Sequence, residues 1–170
     1  MPRYFVMHDY GMGALYWWID APSADDIIRT YAEVVILDDA NAARHDNIPI
    51  VAIDDKTHQP GLDDLRDLRA GQIGHPQFGA LVGRGIIFLR RPDYIEEGSI
   101  YYIEYDPQGY RTRQVEIDAK GDAVRTGPED WWLNPPEDLW NPELVQYEIT
   151  RNEFDSTWAT AHPPINRPDC

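Results

Sequence analysis

The chain has one cysteine, Cys170, in 170 residues. One thiol cannot close an internal disulfide, and at this position it is poorly placed as a buried nucleophile. No apolar run approaches the roughly 20 residues that cross a bilayer as a helix. Met1-Pro2-Arg3-Tyr4 passes straight into strand-like sequence, without the charged-then-apolar order of a secretion signal. A cytosolic (cytoplasmic) location is therefore expected. Basic residues are also scarce: 15 Lys and Arg face 30 Asp and Glu, for a net charge of −15. A surface this anionic repels nucleic acid and anionic membranes, both of which are bound through positive charge. It keeps the chain soluble, favours a monomer or weak dimer, and suits a basic protein partner. A generally acidic proteome would leave the same signature.

Motifs for catalysis and ligand binding are missing too. Gly11-x-Gly13 lacks the third glycine of a dinucleotide loop, and a strand follows where a helix is needed. The histidines stand at 8, 45, 58, 75 and 162, with no zinc-like spacing. The acid doublets Asp25-Asp26, Asp38-Asp39, Asp54-Asp55 and Asp63-Asp64 lack the alternating order of a calcium loop. No serine occupies a Gly-x-Ser-x-Gly elbow. The reading expects no metal and no cofactor.

What is present is a run of short strands and capped helices. Residues 3–9 and 14–21 read as a hairpin around Tyr10-Gly11-Met12-Gly13. Ser23 with Asp26 resembles a capping box and opens a helix over about 24–33, before a strand at 34–37. A helical turn at 41–44 and a strand at 50–53 follow. Pro60-Gly61 opens a helix in which Leu62, Leu65 and Leu68 recur every three residues, ended by Gly71. The glycine-rich stretch 71–85 reads as a loop joining two halves, about 1–70 and 86–161, of one domain. A strand at 86–89 comes next, broken by Arg90-Arg91-Pro92-Asp93.

The chain is organised around residues 99–161. Ile100-Tyr101-Tyr102-Ile103-Glu104-Tyr105, a strand ending at Val115-Glu116-Ile117, and Ala123-Val124-Arg125-Thr126 are separated by two Asp/Gly turns. Short turns between sequential strands imply an antiparallel meander. Thr150 and Glu153 form a capping box for a helix carrying Phe154, Trp158 and Ala161 on one face, with Ile149 and Phe154 as its staple. The fold class expected is α+β: an antiparallel sheet, made of the N-terminal hairpin and the C-terminal meander, with two or three helices packed on one face. Residues 162–170 read as a loose tail.

Two clusters could carry function. The first is the crossing at 127–155, where Glu129, Asp130, Glu137 and Asp138 interleave with Trp131, Trp132 and Trp140. Carboxylates steer a cationic partner and aromatics supply contact area, so these seven residues are the candidate partner surface. The competing reading makes the tryptophans core and the carboxylates a solvated rim. The second cluster is His8, Asp9 and Tyr10 with Tyr16, Trp17 and Trp18 across the hairpin. In an enzyme, His8 and Tyr10 would be the catalytic candidates, but neighbouring strand residues face opposite ways, and plain hairpin packing accounts for the pattern.

Arg113-Gln114-Val115-Glu116-Ile117, then Gly121 and Ala123-Val124, a proline-rich crossing, and Glu148-Ile149-Thr150-Arg151-Asn152-Glu153-Phe154-Asp155-Ser156-Thr157-Trp158 resemble an uncharacterised family of small bacterial α+β domains. That family is associated with gene neighbourhoods of toxin-immunity proteins. The resemblance covers 99–161, and its motifs are structural. It implies an immunity-type inhibitor of a basic partner such as a bacterial toxin domain. It transfers no catalytic residue. The alternatives are a small-molecule-binding protein or enzyme of a specialised bacterial pathway, with a pocket near the N-terminal hairpin and 71–85 as its lid, and a nucleic-acid mimic.

Overall fold

In a computed structural model of the chain, the aromatic and β-branched run Tyr4-Phe5-Val6 lies in a strand, Arg3–Asp9 (β1), whose adjacent Phe5 and Val6 are both fully buried. The structure describes residues 1–38 and 47–165. The helical turn read at 41–44, Asp39 of the second acid doublet, His45 and Cys170 lie outside these. The chain divides into two compact units, Met1–Phe78 and Gly79–Cys170.

In the first unit, β1 pairs antiparallel with β2 (Ala14–Asp20), from Arg3 opposite Asp20 to Asp9 opposite Ala14. The turn between them closes with Tyr10 N–H donating to the Gly13 carbonyl at 3.1 Å. β3 (Val35–Leu37) pairs antiparallel with β1, and β4 (Ile50–Ala52) pairs parallel with β2, giving the order β3-β1-β2-β4. Two helices cover one face: α1 (Ala24–Thr30) and α2 (Leu62–Ile73). The Ser23 hydroxyl caps α1, accepting from Asp26 N–H at 3.1 Å. Val6, Trp17, Ile19, Ile27, Tyr31, Val51, Leu62 and Leu65 form the core between sheet and helices.

The three-residue leucine spacing does not hold to its end. Steps of three fall about 60° short of a full turn each, so the third leucine drifts off the face. Leu68 is 43% exposed, and Arg69, four residues after Leu65, is buried in its place. Its guanidinium donates to the Tyr31 carbonyl and to Gln72 Oε1. α2 also runs through Gly71 to Ile73, and turns closed by His75 N–H to Gln72 and Phe78 N–H to His75 follow it.

In the second unit β5 (Ile87–Pro92), β6 (Ile100–Tyr105), β7 (Arg111–Ile117) and β8 (Ala123–Thr126) form an all-antiparallel sheet in sequence order. The fold class is thus α+β as expected, with the hairpin and the meander in separate four-stranded sheets. β5 continues through Arg90 and Arg91, where the sequence suggested a break, because Pro92 is its last residue and needs no ladder donor there.

Each face of this second sheet has its own cover. On one lies α3 (Arg151–Thr160), capped by the Thr150 hydroxyl, which accepts from Glu153 N–H at 3.2 Å. Phe154, fully buried, meets Phe88 at 5.2 Å between ring centroids. Arg113 lies under Phe154 and Trp158 and binds Glu104, which is 7% exposed. Burial alone would push the Glu104 carboxyl up; hydrogen bonds from Arg113 and Thr112 hold it below the usual range. On the other face Ile87, Leu89, Ile103 and Tyr105 pack under Leu81, Leu139 and Leu144. Leu139 and Leu144 belong to the acidic, Trp-rich crossing, so that crossing is a wall of the core. The sheet's outer strands are not left bare. Glu148 bridges to Leu89 of β5, and His162 bridges to Val124 of β8.

Candidate functional site

The crossing begins with a 3-10 turn, Pro128–Asp130, and passes through irregular backbone to a second, Pro142–Tyr147. Three anchors tie the irregular part to the sheet. Trp131 lies on the Arg111 guanidinium, 4.5 Å from carbon to ring centroid, and its indole N–H donates to Thr126 Oγ1 at 3.0 Å. The Asn134 amide exchanges hydrogen bonds with the backbone of Arg111: its Nδ2 donates to the Arg111 carbonyl at 2.9 Å and its Oδ1 accepts from Arg111 N–H at 3.3 Å. Glu137 N–H donates to the Gly109 carbonyl at 2.8 Å. Gly109 has φ +88°, and a Cβ there would stand 2.5 Å from the Glu137 carbonyl oxygen, so the turn and the crossing meet backbone to backbone.

Between the first two anchors, two residues project. Trp132 is 88% exposed and Leu133 72% exposed. The Leu133 carbonyl accepts from Arg111 Nη2 at 2.8 Å. Arg111 therefore grips the projection from below through a ring, a carbonyl and an amide, while also donating to Gln114 Oε1. The result is an apolar pair held out on a braced loop, which is how a pre-organised contact is built. We expect Arg111→Ala to loosen it: amide exchange over 131–134 should speed up about tenfold or more, with a stability cost of about 1–2 kcal/mol. Arg111→Lys keeps the charge but loses the planar fork, and should recover little of the protection.

The seven candidate residues thus divide. Trp132 and Glu129 face outward. The Asp130 carboxylate accepts from Gly127 N–H at 2.9 Å and closes the first turn. Asp138 Oδ1 accepts from Trp140 N–H at 3.2 Å in the same manner. Trp140 covers Gly79, where a Cβ would sit 2.8 Å from its ring. Trp131 is engaged as described. Glu137 turns in: it forms an ion pair with Arg91 at 2.5 Å and accepts from the Tyr105 hydroxyl at 3.1 Å. Tyr105 is 2% exposed, and its burial, then the Glu137 charge, push its hydroxyl pKa well up. Leu133, Arg111 and Asn134 are additions to the sequence reading. Their partners lie about twenty residues away in the chain, and no local spacing announces them.

On the N-terminal hairpin, His8 Nδ1 lies 2.9 Å from the Glu33 carbonyl. Tyr10 is 56% exposed, with its hydroxyl over Gly13. Neither contact makes an acid/base pair with the other residue. A surface cleft of about 350 Å³ in the second unit is lined by Arg90, Pro92, Ile100, Gln146, Tyr147, Glu148 and Ile149, so it contains neither candidate catalytic residue. Among the described residues, no three His, Cys, Asp or Glu side chains converge as a metal would need, and no helix is long and apolar enough to cross a membrane. Comparison with protein-family models, with curated proteins and with solved structures finds no match.

Proposed function

We propose that this chain is a non-enzymatic binding protein, an immunity-type inhibitor that covers a basic partner such as a bacterial toxin domain. The observation that carries the reading is the braced pair Trp132–Leu133, exposed on an otherwise anionic chain of net charge −15. An exposed Trp on a fixed loop is the kind of residue that becomes an interface anchor, while bulk negative charge accelerates encounter with a cation-rich surface. Burying the two side chains removes apolar area from water at about 25 cal/mol per Å². The loop's own hydrogen bonds spare it the ordering cost of a mobile segment.

On this surface Glu137 is turned into the second unit towards Arg91 and Tyr105, Asp130 and Asp138 shape the turns, and Trp132, Leu133 and Glu129 make the contact. The test is capture of a basic protein from the native cell on immobilised full-length chain, repeated at about 50 and 500 mM salt. Capture that weakens with salt and is absent with Trp132→Ala supports the inhibitor reading. Capture indifferent to both overturns it.

A further inference from the structure

His162 follows α3 and sits where the chain crosses the outer edge of β8. Its backbone joins that strand at two points: His162 N–H donates to the Ala123 carbonyl at 3.0 Å, and Arg125 N–H donates to the His162 carbonyl at 2.9 Å. Its ring makes two more contacts. Nδ1 lies 2.8 Å from the Pro163 carbonyl oxygen, and Nε2 lies 3.0 Å from Asp122 Oδ1. Both partners are pure acceptors, whereas neutral imidazole has a single N–H. The two contacts can coexist as hydrogen bonds only on the imidazolium.

The other described histidines differ. His75 Nδ1 accepts from Gln77 N–H, which requires that nitrogen to be bare. His8 and His58 each make one such contact, to the Glu33 carbonyl and to Asp63. The charges around His162 leave Asp122 as its counter-ion. Asp118, in the same turn, is turned to the backbone N–H groups of Lys120 and Asp122. The Arg125 guanidinium lies over the Trp158 ring at 5.6 Å, with its Nη1 toward the Trp158 carbonyl.

We propose that the imidazolium of His162 is a latch that holds residues 161–163 against the β8 edge and releases them when the ring loses its proton. Release would unpair the Ala123 carbonyl and the Arg125 amide, opening a strand edge that is otherwise closed. The sign follows from the ring's surroundings. The Pro163 carbonyl, then Asp122, raise the His162 pKa above its ordinary value. The latch is therefore complete below about pH 6.5, the ordinary histidine value, and is lost as pH rises through the raised folded value.

The test is NMR on the full chain. His162 should titrate above an ordinary histidine. The exchange protection of the Arg125 amide, corrected for intrinsic rate, should fall roughly three- to tenfold between about pH 5.5 and 8.5, the worth of one hydrogen bond. The Ile103 amide in central β6 should keep its protection over the same range, which separates the latch from global loosening. Asp122→Asn should return the titration towards the ordinary value, and His162→Gln should make Arg125 protection independent of pH. Equal Arg125 protection at both pH values in the unaltered chain, or a His162 that titrates at or below the ordinary value, overturns the proposal.

Discussion

Trp132→Ala is expected to abolish retention of a basic partner without moving the unfolding midpoint. The side chain is 88% exposed, so its removal deletes little that the folded state uses. Surface changes of this kind alter stability by no more than about 0.5 kcal/mol. A central interface tryptophan, in contrast, is worth about 2–4 kcal/mol of binding, or roughly 30- to 1,000-fold in Kd. Leu133→Ser should add a smaller loss, and the pair should be non-additive because the two side chains share one contact. Titration calorimetry with the captured partner, beside a urea melt of each variant, separates the two effects. Full affinity in Trp132→Ala would remove the loop from the interface.

Glu137→Gln should do the reverse, destabilising the second unit while leaving the affinity of the molecules that remain folded unchanged. The substitution conserves shape and removes one charge. Arg91, with a side chain 24% exposed, then loses its carboxylate, and the nearly inaccessible Tyr105 hydroxyl trades a charged acceptor for a neutral one. Breaking a pair this far from water costs about 2–4 kcal/mol, chiefly because the surviving cation is left uncompensated. Arg91→Met in the same chain should restore part of the loss, since it removes the stranded charge. The measurement is the urea midpoint of the parent, the two single variants and the double variant. A Glu137→Gln midpoint equal to the parent's would show that the ion pair contributes nothing, and Glu137 would again be free to serve the surface.

The contrast between Trp132 and Glu137 shows what one sequence discloses and what it withholds. Local chemistry was readable. Ser23 and Thr150 cap the helices that follow them, and the apolar run in residues 3–9 and the alternation at the end of 111–117 mark strands. The Asp106 and Asp118 turns fall where glycine and the short acids place them. Non-local pairing was not readable. Nothing in Ile50-Val51-Ala52 says that it joins β2 in parallel, and this is why hairpin and meander could be taken for one sheet. In the crossing, acids and tryptophans alternate without a period, since the segment has neither helix nor strand geometry over 131–141 to set one. Which side of it faces inward is decided by Arg91, Tyr105 and Arg111, which belong to other strands. In sequence His162 reads as part of the loose tail for the same reason, its partners being in β8 and the turn before it.

The parallel seat of β4 beside β2 also orders events in time. β1 and β2 zip from their own turn, and the meander β5 to β8 is built from neighbours in sequence, so both can assemble through short loop closures. β4 must wait until the chain has travelled through α1 and β3 and returned, a longer closure with a larger entropic barrier. The first unit should accordingly complete its sheet last in refolding, with the Trp18 amide, which donates to the Pro49 carbonyl, among the slowest to gain protection. Pulse-labelling that finds this amide protected together with those of β6 and β7 would refute the sequence of steps.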